Sequence, residues 1–341
     1  MSPCLDEATV VALFAGDLAE ETRERILRHV EACSACRELV VALSEDAAFQ
    51  PTEPALEPTA SDGAVFGGYV LLRAIGEGGV GVVHEAREAA SGRTFALKVL
   101  KDHDPSHVAR FRREAQVGAT LRHPHIAGVH DVVVHDDRIG IVSPLLRGES
   151  LDRRLARELR LSFAAACSVL APLARALAFA HEAGVVHRDV KPQNVFLEGD
   201  PRGPIEATRV VLLDFGLAKA IGHEAQLAMA TRLTDTGMVV GTPHYMSPEQ
   251  ITGSTHLTSA VDAWALGVVA YECLAGTRPV EGRSFGQIFK RLTQERILPL
   301  RERVPSLPPE LLGLVDALLS PEPALRPPLA EVARALAAHV G

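Results

Sequence analysis

The stretch "VVHRDVKPQNVFL" (residues 185–197) sets Asp189, Lys191 and Asn194 within six residues, between an apolar approach and an apolar exit. Val195, Phe196 and Leu197 read as a short strand. Twenty-five residues after Asp189, "VVLLDFGLAKA" (210–220) is a second apolar strand that ends on an acid, Asp214, with Phe215 and Gly216 permitting a sharp exit. An acid placed there suits Mg²⁺ bridging phosphates, and Asn194 offers an amide oxygen to a second ion. Asp189 is left to accept or orient an attacking hydroxyl, while Lys191 neutralises charge on the group in flight. Any one of these residues reads equally well as a loop charge, but the four at these spacings point to phosphoryl transfer.

Working upstream, "IGEGGVGVV" (75–83) holds Gly76, Gly78 and Gly81 in a G-x-G-x-x-G frame, followed by Val83. The dinucleotide-binding form of that frame needs strand, turn and helix. Here "VGVVHEAREAASGRTFALKVL" continues as a second strand and a turn at Ser91–Gly92, so the expectation is a β-hairpin over phosphates. In "TFALKVL", Ala96 and Lys98 alternate with apolar residues on a strand, and Glu114 in "RFRREAQV" is the natural carboxylate to orient Lys98. Only five of the 35 basic residues are lysines, which makes a retained ammonium at 98 and at 191 informative.

These pieces, together with "GTPHYMSPEQ", "VDAWALG" and "PALRP", make residues 69–340 resemble the eukaryotic-like (Hanks-type) serine/threonine protein kinases of bacteria. The resemblance implies an α+β, bilobal fold: a β-rich N-lobe at 67–146 and a larger helical C-lobe at 147–341. It also implies ATP with Mg²⁺ or Mn²⁺, protein substrates bearing Ser or Thr, and a homodimer for autophosphorylation. By residue, it implies that Gly76, Gly78, Gly81, Val83, Ala96, Lys98 and Glu114 serve the nucleotide, with Pro144 and Leu146 at the hinge. Asp189 is implied as catalytic base, Lys191 as its assistant, and Asn194 and Asp214 as Mg²⁺ ligands. Lys191 in "DVKPQN" and Thr242 in "GTPHY" match the serine/threonine class. Glu249 is expected to pair with Arg326, and Asp262 to brace the catalytic loop.

Two departures stand out. "SPE" (247–249) replaces the frequent "APE", and Ser143 with Pro144 occupies the hinge, where proline keeps its carbonyl and loses only its N–H. Between Gly216 and Ser247 lies a segment long enough for an activation loop, holding Thr231, Thr234 and Thr236; a phosphate on Thr234 or Thr236 would answer the charge of Arg188.

At the N-terminus, "HVEACSAC" sets His29, Cys33 and Cys36 as H-x₃-C-x₂-C, with Cys4 upstream. Four such ligands form a closed tetrahedral set, which means structural zinc; buried free thiols are the other reading. Residues 1–48 resemble the zinc-binding anti-sigma (zinc-finger) domain, a small helical unit whose family binds a sigma factor. Residues 49–66, with "PTEPALEPT", read as a flexible linker, so the expected order is zinc module, tether and kinase domain 67–341.

A net charge of −8 with scattered arginines sets nucleic-acid binding aside. The start lacks a secretory leader, and the apolar runs "LSFAAACSVLAPL" (161–173) and "VDAWALGVVAYECLAG" (261–276) look too short or too charged to span a bilayer, so the cytoplasm is expected. Cys167 and Cys273 lie in apolar helical runs and are read as core thiols. The rival to an active kinase is a catalytically inactive scaffold that sequesters a sigma factor or another regulator.

Overall fold

The computed structural model describes residues 29, 33, 63–77, 81–100, 120–136, 138–214, 243–254, 256–282 and 285–340. The chain divides into two units, Met1–Thr59 and Ala60–Gly341. Within the first, Cys33 N–H donates to His29 O at 2.9 Å, the i to i−4 bond of a helical turn. Cys4 and Cys36, the other two expected zinc ligands, lie outside the described residues, as does Glu114.

In the second unit, β1 (Val65–Phe66), β2 (Tyr69–Glu77), β3 (Gly81–Glu88), β4 (Thr94–Leu100), β5 (Asp131–His135) and β6 (Arg138–Pro144) build one sheet in the order β1-β2-β3-β4-β6-β5. Every neighbouring pair is antiparallel. Phe95, Leu97 and Val99 alternate inward along β4 and meet Phe66, Tyr69, Leu71, Ala86, Val133 and Val142 in a buried cluster. Strand period two then sends Ala96 and Lys98 to the opposite face. Register adds to that face: Val83 lies across from Lys98, and Ser143 across from Ala96. Strand β1 falls inside the stretch read as linker; it is two residues long and is held by pairing with β2.

A second sheet of β7 (Gly148–Ser150), β8 (Val195–Glu198) and β9 (Arg209–Leu212) runs antiparallel in that order. Around it stand α1 (Leu151–Glu158), α2 (Phe163–Glu182), α3 (Pro248–Ile251), α4 (Ala260–Ala275), α5 (Phe285–Gln294), α6 (Leu300–Arg303), α7 (Pro309–Leu318) and α8 (Leu329–Ala337). The core of this half is one cluster threaded by α2 and α4, with Leu170, Leu173, Leu177, Trp264, Val268 and Val269 at its centre. Burial of aliphatic and aromatic side chains on this scale is the main force holding the half together.

Helix α2 corrects the reading that the apolar run at 161–173 is too short to span a bilayer. The helix continues through Pro172 to Glu182, so it is long and apolar enough to cross a bilayer by length and composition, and 67% of its most apolar window is buried inside the lobe. Ser162 starts the helix by accepting a hydrogen bond from Ala165 N–H at 3.2 Å. Cys167 and Cys273 are fully buried, and burial pushes the Cys167 thiol up to about 11, so neither is a poised nucleophile.

Candidate active site

Strands β8 and β9 carry two of the polar groups to one place. Val195 pairs with Leu212, and the ladder extends one step further because Leu213 N–H donates to Asn194 O at 2.8 Å. Asn194, just before β8, and Asp214, two residues past β9, therefore end up side by side. Asp214 has φ of +60°, a left-handed conformation that side chains with a Cβ resist, so its direction is imposed by its surroundings. Its Oδ2 accepts from Lys98 Nζ at 2.7 Å, which joins the face of the first sheet to the end of the second. Lys98 is thus engaged by Asp214 in this structure, and its expected partner Glu114 lies outside the described residues.

Asp189 sits on the loop between α2 and β8. Asn194 Nδ2 donates to Asp189 O at 2.7 Å and to Asp189 Oδ2 at 3.0 Å, and Lys191 Nζ lies 2.9 Å from the same Oδ2. With its amide nitrogen committed to Asp189, Asn194 has its amide oxygen left for a cation. Asp214 and Asn194 together are a hard-oxygen pair of the sort Mg²⁺ takes alongside phosphate oxygens and water, so the residues fit that ion.

The loop itself is held by groups remote in sequence. Asp262, at 0% exposure, accepts from His187 N–H at 2.8 Å and Arg188 N–H at 2.7 Å, and its Oδ2 meets His181 Nε2 at 2.8 Å. This is the brace expected of Asp262. His187 adds a second tie. Asp189 N–H can only donate, so His187 Nδ1 accepts it at 3.2 Å, and the ring proton must sit on Nε2, which donates to Leu213 O at 2.8 Å. His187 thereby links the residue before Asp214 to Asp189.

Below the loop, Arg326 forks onto Glu249, with Nη1 to Oε1 at 2.5 Å and Nη2 to Oε2 at 2.8 Å. The guanidinium also reaches Ala260 O at 2.9 Å and lies over the Trp264 ring at 5.0 Å. Burial works to raise the Glu249 carboxyl, and the Arg326 fork overrides it, leaving Glu249 below the usual carboxylate range. The same short segment shows what the "SPE" departure does. Ser247 is buried and caps α3 in a capping box with Gln250, a bond that alanine would not make.

Where the sequence places the nucleotide, Gly76 and Gly81 lie across the hairpin expected from the glycine frame, with Gly76 opposite Val83; Gly78 lies outside the described residues. Gly81 has a packing reason of its own, since a Cβ there would come 2.4 Å from Val99 O on β4. At the hinge, Pro144 pairs with Phe95 at the end of β6, and Leu146 follows as a half-buried residue.

The comparison with known sequences agrees with this geometry: the model of the protein kinase domain matches residues 69–336. The chain belongs to the protein kinase family. Its kinase domain is 40% identical over 268 residues to the serine/threonine-protein kinase PknA of Mycobacterium tuberculosis, covering 76% of this chain and 58% of PknA. It is 39% identical over 262 residues to PkaB of Streptomyces coelicolor, covering 76% and 60%. Pkn3 of Myxococcus xanthus is 38% identical over 273 residues, covering 78% and 49%. The chain thus spans about half the length of the relatives it matches.

Sequence reasoning did not assign several residues that hold the kinase domain's site. His187 and Gln250 lie inside quoted motifs, but their roles depend on contacts with Leu213 and Arg188 that spacing does not reveal. Tyr245 likewise donates to Glu272 at 2.6 Å, and burial raises that carboxyl despite the bond. Among the described residues no three His, Cys, Asp or Glu side chains form a ready metal cluster.

Proposed function

We propose that the chain is a serine/threonine protein kinase that transfers the γ-phosphoryl of Mg-ATP to protein hydroxyls. The observation that carries this reading is the meeting of Lys98, Asp214, Asn194 and Asp189 at one place, from two sheets and a loop. Asp214 and the amide oxygen of Asn194 would hold Mg²⁺, which when bound offsets charge on the phosphates. Lys98 would move from Asp214 to phosphate oxygens. Asp189 orients the substrate hydroxyl and takes its proton, and Lys191, already beside Asp189, stabilises the charge that develops on the transferred group. Val83 and Ala96 share the Lys98 face and are assigned to the adenine, with Pro144 O and Leu146 N–H as its hinge partners. The relatives' names carry the word serine/threonine, and Lys191 and Thr242 favour that class here too.

The test is label transfer from γ-labelled ATP to a generic protein substrate. Wild-type protein should label it in Mg²⁺, and Asp189→Ala should lose about 10²- to 10⁴-fold in rate, the range for a missing general base. Equal labelling by both proteins would refute the assignment.

Autophosphorylation of the activation loop belongs to the same proposal. The Nε of Arg188 is buried and finds no partner among the described residues, which suits an incoming anion such as a phosphate on Thr234 or Thr236. Phosphopeptide mapping after incubation with Mg-ATP should find one of these threonines modified; fully active protein with both unmodified would remove this part.

For the N-terminal module we keep zinc on Cys4, His29, Cys33 and Cys36, supported by the helical turn that puts His29 and Cys33 on one face. Its assigned work is recruitment of a substrate or regulator, a sigma factor among the candidates, in the ATP-supplied cytoplasm. Elemental analysis of the purified chain should return one zinc per molecule, and folded, metal-free protein would overturn the site.

A further inference from the structure

Gln250 touches neither the expected nucleotide nor the metal ligands, yet its side chain spans two segments that both bear on Asp189. Its Oε1 accepts from Ser247 N–H at 3.1 Å, and its Nε2 donates to Arg188 O at 3.1 Å. The amide orientation follows from chemistry: Ser247 N–H needs an acceptor and the Arg188 carbonyl needs a donor, so only one flip satisfies both. Gln250 is 8% exposed, and water does not compete freely for either bond.

The carbonyl it holds belongs to a strained residue. Arg188 has φ of +67°, a conformation that a residue with a Cβ adopts only when neighbours enforce it. Three side chains do so here. Asp262 takes Arg188 N–H, Gln250 takes Arg188 O, and His187 Nδ1 takes the N–H of Asp189. The peptide plane joining Arg188 to Asp189 is therefore pinned at its oxygen by Gln250 and at its hydrogen by His187. That plane sets the direction in which the Asp189 side chain leaves the backbone.

We propose that Gln250 is a positioning residue for Asp189: anchored on the backbone N–H of Ser247, its amide fixes the 188–189 peptide and with it the geometry of the general base. The inference rests on the kinase reading above. Loss of the Gln250 amide leaves the Arg188 carbonyl without its donor and lets the peptide rotate, which displaces Asp189 and leaves nucleotide contacts on the sheet unchanged.

The experiment compares steady-state kinetics of wild type, Gln250→Glu, Gln250→Met and Ser247→Ala, each as the full chain. Gln250→Glu keeps the acceptor for Ser247 N–H and removes the donor to Arg188 O, and Gln250→Met removes both at similar length. Both should lose about tenfold in kcat with KM for ATP within about twofold, since small misplacements of a reacting group act on the chemical step. Ser247→Ala weakens the cap of α3 and leaves the Gln250 donor in place, so its kcat should stay near wild type even if its melting temperature falls. Wild-type kcat in both Gln250 variants overturns the proposal. So does an equal kcat loss in Ser247→Ala, or Gln250 variants that no longer bind ATP where Ser247→Ala still does, because either makes Gln250 a residue of folding alone. A wild-type chain that transfers no label defeats the kinase reading itself, a result distinct from active wild type with active Gln250 variants.

Discussion

The two sides of the site are positioned by different physics. On the sheet side, Lys98, Ala96 and Val83 share a face because strands have a period of two and because β3, β4 and β6 are in one register. Nothing beyond backbone pairing and a buried opposite face is needed to aim them. On the loop side, Asp189 follows no repeat. It is aimed by Asp262 from α4, by Gln250 from α3 and by His187 within the loop, each bonding backbone groups of a strained turn. Register is robust to the loss of one side chain, whereas a turn held by three tethers loosens when any one is removed.

The largest effect should come from cutting the ion pair beneath the tethered loop. Arg326→Ala leaves Glu249 half-buried without its cation, and breaking such a pair on one side costs about 3–5 kcal/mol. Thermal or denaturant unfolding of the variant measures this. The same pair sets a pH dependence. Glu249 is held below the usual carboxylate range in the folded chain, so its contribution is present above the unfolded carboxylate pKa and fades as pH falls through the depressed folded value. Wild-type stability should fall along that acid limb, and Arg326→Ala should lack this part of the fall.

On the sheet side, Lys98→Met should cost about 10²–10³ in kcat, the range seen when one donor to developing charge is lost. Because register holds the strand, its melting temperature should stay close to wild type. A large loss of stability in Lys98→Met would erase the contrast between the two sides. The smallest effect tests register directly. Gly81→Ala sets a Cβ against Val99 O, and overpacking of this kind costs about 1–3 kcal/mol, readable as a lowered unfolding midpoint.

The contrast also explains what the chain's sequence discloses. Alternation in "TFALKVL", the apolar strands before Asp214 and after Asn194, and the helical runs at 162–183 and 258–275 are local signals. The structure has strands and helices at those places, within a residue or two for the helices. Strand β1 was hidden because two residues beside a proline-rich stretch carry no period, and β7, "GES", has no β-branched or aromatic residue to mark it. The engagement of Lys98 by Asp214 and the hold of Gln250 on Arg188 each join residues that local periodicity cannot connect; the gaps are 116 and 62 positions.

Register on one side and tethers on the other should together bring one ammonium and two carboxylates to a single magnesium-chelated triphosphate. Calorimetric titration of ATP into the purified chain, with and without Mg²⁺, tests it most directly, using wild type and Asp214→Asn. Mg²⁺ should tighten ATP binding to wild type, and Asp214→Asn should abolish the tightening. ATP binding indifferent to Mg²⁺ in the wild type, or an unchanged Mg²⁺ effect in Asp214→Asn, would contradict it.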